Sequence, residues 1–255
     1  YLMNRRDSMK IKVGVIFGGE TVQHEVSIIT AVQAMEHINQ DKYEVVPIYI
    51  SKDRIWYTGN MLKEIEVYQD FNELKKYAKE VVLTKTKDGY YLQSTKGLFR
   101  RNITDIDIAF PIVHGNNAED GTLQGYLDSV GIPYVGSGIP ASANCMDKDI
   151  ANTILEANGI PTPRRIVVSR PDLKRMDDIS SEVASRLGFP VFVKPACGGS
   201  SLGVSKAYDA EGLSNGIKLA FAHDNKVIIE ECLTGRELEC AVFGSDKPLS
   251  SPVGE

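Results

Sequence analysis

Val191-Phe192-Val193-Lys194-Pro195-Ala196-Cys197-Gly198-Gly199-Ser200-Ser201-Leu202-Gly203-Val204-Ser205-Lys206 reads as a strand, a glycine- and serine-rich loop, and a return to extended chain. The β-branched run ends in a lysine, a point charge suited to a phosphate oxygen. Glycines let backbone N–H groups turn toward an anion with no Cβ in the way, and the hydroxyls of Ser200 and Ser201 add donors. Taken alone, the stretch is better read as a hairpin loop with a solvated lysine. Phosphate binding gains weight from its company: a second glycine turn at Gly18-Gly19, further lysine-bearing segments, and an acidic pair at Glu230-Glu231.

Around this loop the pattern is that of a small α+β unit. Strands are expected over 164–168, 189–194 and 227–229, with helices near 180–187 and 210–222 and a further strand over 238–243. Upstream, 11–17 is a buried strand, Gly18-Gly19 a tight turn, and 43–50 a second strand. Between them Val26, Ile29, Val32 and Met35 recur at helical spacing. Strand, glycine turn, helix and strand make a βαβ unit, which favours a parallel sheet. Residues 51–104 are less regular, with hairpin pieces at 54–59 and 89–92. A strand at 107–113 leads into His114-Gly115, followed by a helix over 122–130 and a short strand at 133–135. A single long helix is predicted over 141–158, ended by Gly159 as the left-handed residue with Pro161 beyond. The domain boundary is set near Gly136-Ser137-Gly138, and residues 1–9 are a lead-in to the first strand.

Composition narrows the function. Apolar content of 42% and charged content of 25% over 255 residues are ordinary for a globular protein. A net charge of −5, with no dense basic block, argues against a nucleic-acid surface. No apolar run reaches membrane-spanning length, and no signal-peptide pattern opens the chain. Four cysteines lacking C-x-x-C spacing read as reduced thiols of a cytoplasmic protein, with neither zinc nor a disulfide framework. The G-x-G-x-x-G and G-x-x-x-x-G-K-[ST] patterns are both absent, so phosphate binding must use the Lys194 loop in another geometry.

Several separate motifs together resemble D-alanine–D-alanine ligases of the ATP-grasp superfamily. They are Gly18-Gly19…His24-Glu25-Val26-Ser27, His114-Gly115…Glu119-Asp120-Gly121-Thr122-Leu123-Gln124-Gly125, Gly136-Ser137-Gly138, Met146-Asp147-Lys148, the Lys194–Lys206 loop, and Glu230–Glu237. The resemblance runs from about Lys12 to Glu255. It implies an α/β architecture: a Rossmann-like parallel-sheet domain over 1–137, a central ATP-grasp subdomain over 138–230, and the beginning of a C-terminal ATP-grasp domain over 231–255. ATP would be gripped between the last two. The implied reaction joins two D-alanines for peptidoglycan through an acyl phosphate, with Mg2+ (or Mn2+) as the metal and a homodimer formed through the N-terminal domain.

Residue roles follow from the same resemblance. Lys148 and Lys194 would contact the ATP phosphates, and Gly198, Gly199, Ser200 and Ser201 would close over them. Glu230 would accept from the adenine amino group, the Cys232-Leu233 backbone would bond the ring edge, and Glu237 would bind the ribose. Gln23, His114, Glu119 and Ser200 would surround the first substrate. Blander readings stand beside these. Lys148 alone is a solvated helix lysine, Glu230-Glu231 an exposed strand end, Cys232 a small buried hydrophobe, and Glu119-Asp120 a cap for the helix at Thr122.

The chain also departs from the family. A glutamate is usual immediately before His-Glu-Val-Ser, where this sequence has Gln23; an amide can bond an ammonium but supplies no countercharge. Ala118 stands where a glycine is usual. The metal-binding carboxylates, a catalytic arginine and the second-substrate loop are expected beyond Glu255, so the chain as given is expected to be inactive. The alternatives are a D-alanyl-D-lactate or D-alanyl-D-serine ligase, or a non-catalytic nucleotide-binding relative.

Overall fold

The computed structural model describes residues 10–97 and 99–255, so the lead-in over 1–9 lies outside the described residues. It divides into two compact units. One holds the described residues up to Ile154 with Ala196–Ser200; the other holds Leu155–Pro195 and Ser201–Glu255.

In the first unit, β1 (Ile11–Gly18), α1 (His24–His37) and β2 (Tyr43–Ile50) form the expected βαβ unit. The chain continues through β3 (Trp56–Thr58), α2 (Phe71–Tyr77), β4 (Lys79–Thr86), β5 (Gly89–Ser94), β6 (Asn102–Ile106) and β7 (Ile108–Ile112). One seven-stranded sheet results, in the order β6-β5-β4-β3-β2-β1-β7. β1 is parallel to β2 and β7, and every pairing from β3 outward is antiparallel. The stretch read as irregular therefore supplies half the sheet. Its strands are only half-buried, so their patterning is weak, while α2 is announced by Asp70, which caps the N–H groups of Asn72 and Glu73.

Both faces of the parallel half are covered, which is why β1 carries no polar side chain from Val13 onward. Val13, Val15 and Phe17 pack with α1, while Ile16 faces Leu123 and Leu127 of α3 (Thr122–Val130). The buried side of α1 differs from the expected stripe: it is Ile28, Ala31, Val32 and Met35, whereas Val26 and Ile29 are 51% and 49% exposed.

The long helix predicted over 141–158 is two helices, α4 (Ile139–Met146) and α5 (Lys148–Ala157). Asp147 between them is extended, with φ −83 and ψ 104. Its Oδ1 accepts the N–H groups of Asp149 and Ile150, and its backbone forms an antiparallel bridge with Cys197. Long-range pairing with the glycine-loop stem thus breaks a pattern that is locally helical. The predicted stop holds: Gly159 is left-handed, with Ile160 N–H returning to the Leu155 carbonyl.

The second unit runs β8 (Arg165–Ser169), α6 (Met176–Arg186), β9 (Val191–Pro195), β10 (Ser205–Ala207), α7 (Ala210–Ala220) and β11 (Lys226–Glu231). Its antiparallel sheet has the order β10-β9-β11-β8, with Val191, Val193, Val227 and Ile229 buried against α6 and α7. Of the strand expected at 238–243, only β12 (Val242–Phe243) pairs along a ladder, with β13 (Leu249–Ser250). Among the described residues no helix is long and apolar enough to cross a membrane.

Asp147→Ala should lower the stability of the chain by about 1 kcal/mol, the usual worth of an N-cap carboxylate. Urea unfolding measures it; an unchanged midpoint would contradict the capping role.

Candidate functional site

The Gly18–Gln23 turn of the first unit is built on backbone that side chains resist. Gly18 has φ +90, and a Cβ there would sit 2.3 Å from the Ile50 carbonyl. Two residues at the start of α1 hold the turn. Ser27 Oγ accepts the Gly18 N–H at 2.8 Å and donates to the Ile112 carbonyl at 2.5 Å. His24 is buried, with Nδ1 2.6 Å from the Gly19 carbonyl and Nε2 3.0 Å from the Tyr49 hydroxyl. A carbonyl only accepts, so Nδ1 carries the proton and Nε2 accepts from Tyr49. Burial, helped by Tyr57, pushes the Tyr49 hydroxyl up to about 12, so it stays a donor at neutral pH.

Because Ser27 ties Gly18 to Ile112 at the end of β7, it also fixes the residues that follow that strand. His114 is half-buried, with Nδ1 3.8 Å from Glu119 Oε1, beyond hydrogen-bond reach. Its Nε2 is buried with no hydrogen-bond partner among the described residues. Glu119 turns back to accept the Gly115 N–H at 2.7 Å, so its carboxylate shapes the loop it belongs to. Burial alone would raise Asp120, but the N–H groups of Thr122 and Asn117 outweigh it and hold the carboxyl below its usual range. The capping reading fits Asp120, which accepts the Thr122 N–H at 3.0 Å. Ala118 lies outside the left-handed region, so its methyl group is accommodated.

Gln23 stands where these pieces meet. A Cβ on Gly115 would lie 3.3 Å from Gln23 Oε1, and one on Gly199 would lie 3.7 Å from it. The glycine turn, the His114 loop and the Ala196–Ser200 segment are thus adjacent within one unit. Lys148 secures the last of these: its backbone N–H donates to the Ala196 carbonyl at 3.0 Å, and Nζ reaches the Gly198 carbonyl at 2.6 Å. The solvated-lysine reading of Lys148 does not hold. Ser200 and Ser201 have φ 52 and 56, left-handed values that cost a non-glycine residue about 1–3 kcal/mol.

In the second unit, Lys194 on β9 and Glu230 on β11 form an ion pair, and the Glu230 side chain is only 8% exposed. Glu230 is therefore no exposed strand end. Glu231 points elsewhere: the Arg164 guanidinium bonds it and holds its carboxyl below the usual range. Cys232 is half-buried, while Leu233 and Glu237 are exposed and belong to no strand. Gly203 closes the loop with φ +71, and a Cβ there would meet His223 at 2.6 Å. Among the described residues no group of three or more His, Cys, Asp or Glu side chains is placed to hold a metal ion.

The residues that sequence reasoning missed are Ser27 and His24 as clamps, and Asp147 as the loop-stem partner. The clamps stood inside a quoted motif, but their partners lie elsewhere along the chain. Ser27→Ala strands the Gly18 N–H and should destabilise the first unit by about 1–3 kcal/mol. Amide exchange at Gly18 checks the cause: it should accelerate more than exchange in the β1 interior, and equal rates would contradict the clamp.

Two sequence models match the chain, "D-ala D-ala ligase N-terminus" over residues 12–137 and "D-ala D-ala ligase C-terminus" over 154–255. The D-alanine–D-alanine ligase of Caldicellulosiruptor bescii is 40% identical over 96% of this chain and 66% of its own length. That of Bacillus pumilus is 38% identical over 97% and 68%. The chain spans about two thirds of the length of these curated relatives. Among solved structures, the VanG D-Ala:D-Ser ligase of Enterococcus faecalis superposes with TM-score 0.83 at 36% identity, covering 96% of this chain and 69% of that one. The D-alanine–D-alanine ligase of Coxiella burnetii gives 0.84 at 29%, covering 96% and 68%. The ATP complex of the Bacillus anthracis enzyme gives 0.64 at 31%, covering 95% and 66%. Sequence and fold agree, and the chain belongs to the D-alanine–D-alanine ligase family.

Proposed function

We propose that the protein, at the length of its relatives, uses ATP to join two D-alanines in the cytoplasm, supplying a peptidoglycan precursor. The observation that carries this reading is the meeting of Gln23, the His114 loop and Gly199 in one unit. In this reading a carboxylate oxygen of the first D-alanine attacks the γ-phosphorus of ATP and ADP leaves. The amine of the second then attacks the acyl carbon, loses a proton, and expels phosphate. Gln23, His114, Glu119 and Ser200 hold the first amino acid. Lys148 and Lys194 meet ATP phosphates, and Gly198–Ser201 folds over them to keep water from the acyl phosphate. Glu230, the Cys232-Leu233 backbone and Glu237 take the adenosine. Magnesium, or manganese, would neutralise charge on the phosphates when bound.

The proposed domains are 1–137, 138–230 and 231–255. A homodimer is the proposed assembly, and Val22, Val26 and Ile29 support it as an exposed apolar stripe at helical spacing on and before α1. A second reading, ligation of D-alanine to D-serine, is favoured by the likeness to the VanG D-Ala:D-Ser ligase.

Phosphate release from ATP by the full-length protein tests the reaction. Release should depend on D-alanine, and a D-serine or D-lactate arm separates the alternatives; equal release without any D-substrate would refute it. The ion pair gives a second test. Lys194→Met strands a buried carboxylate and should cost roughly 3 kcal/mol or more, whereas Lys194→Met with Glu230→Gln should recover most of that loss. ATP affinity should fall in both; nucleotide affinity retained by the refolded double variant would remove the pair from the proposed site.

A further inference from the structure

A cleft of about 290 Å³ opens beside the candidate site in the first unit. Its floor includes Ile50, Trp56, Val81, Val113, Leu123 and Tyr126, and Glu20, Arg54, Asn116 and Asn117 stand among the residues of its exposed rim. None of Gln23, His114 or Glu119 lines it. We infer that this cleft is a binding site for an uncharged, planar aromatic molecule of about two fused rings.

Size sets the first limit. A dry apolar cavity of about 150 Å³ holds benzene, so this one accommodates roughly twice that ligand. Shape sets the second. Trp56 and Tyr126 meet edge to face, with centroids 5.3 Å apart and ring planes at 61°, and so present aromatic surface to a flat partner. Charge sets the third. Glu20 and Arg54 are the only ionised side chains among the lining residues, and they pair with each other. The Tyr126 hydroxyl is already spent on the Leu83 carbonyl at 2.8 Å. An ion entering this floor would lose water without gaining a countercharge. The rim is also unusual in its backbone: Arg54 and Asn117 have φ 62 and 64, two of the four left-handed non-glycine residues described. Strain of that kind concentrates at ligand clamps.

Trp56 is the only tryptophan in the chain, which makes the test direct. Protein labelled with 5-fluorotryptophan gives one fluorine resonance, and indole is the probe. The resonance should shift saturably with indole, and intermolecular NOEs should place the ring against the Val113 and Leu123 methyl groups. Val82→Phe, on the wall, and Thr122→Phe, on the exposed rim, should each weaken binding by about tenfold or more. A thermal scan shows which variants fold, and the NOEs locate the ligand without any substitution. A shift that never saturates, NOEs to other residues, or equal affinity in a folded filled variant would overturn the inference. The titration needs no turnover, so its outcome is independent of the ligase reading.

Discussion

Ser27 Oγ accepts one backbone proton from Gly18 and gives its own to Ile112, joining the ends of two adjacent parallel strands through the first turn of a helix. Both strand ends are where an open α/β sheet presents its ligand-binding loops. The Gly18–Gln23 turn and the His114 loop are therefore fixed to each other by one hydroxyl rather than left to find each other. His24 adds a second fastening through Gly19, and its tautomer is dictated by the carbonyl it faces. Only backbone free of a Cβ fits Gly18 against Ile50, so the glycine and the serine depend on each other.

The glycine loop obeys a different economy. Its stem is held by Lys148 and by the Asp147–Cys197 bridge, while Gly203 seats its far end against His223. Between these anchors Ser200 and Ser201 occupy left-handed backbone and are exposed. Left-handed backbone at two successive exposed serines is strain of the kind that concentrates at ligand clamps and switch regions. The Lys194–Glu230 pair sets a half-buried cation against a buried carboxylate on the adjoining strand.

Much of this was legible in the sequence. β2 and α3 fall at their predicted bounds because apolar runs with glycine punctuation report local structure faithfully. The antiparallel half of the first sheet was not, because half-exposed strands such as Asn102–Ile106 carry polar residues that blur a period of two. The break at Asp147 was invisible for another reason: its cause is Cys197, a partner far along the chain. The α1 stripe misled because Val26 and Ile29 share the helical period of the core while facing outward. The clamp of Ser27 in the first unit and the pairing of Lys194 with Glu230 in the second could not be read from motifs, because they arise only when strands are set in register.

We propose that Gln23 and His114 belong to a single amino-acid site held in place by Ser27. A D-alanine titration of the protein, followed through the Gln23 side-chain amide and the His114 ring nitrogens by NMR, tests it most directly. Both sets of resonances should move together and saturate at the same D-alanine concentration. Movement of one without the other, or of neither while distant residues respond, would contradict the account.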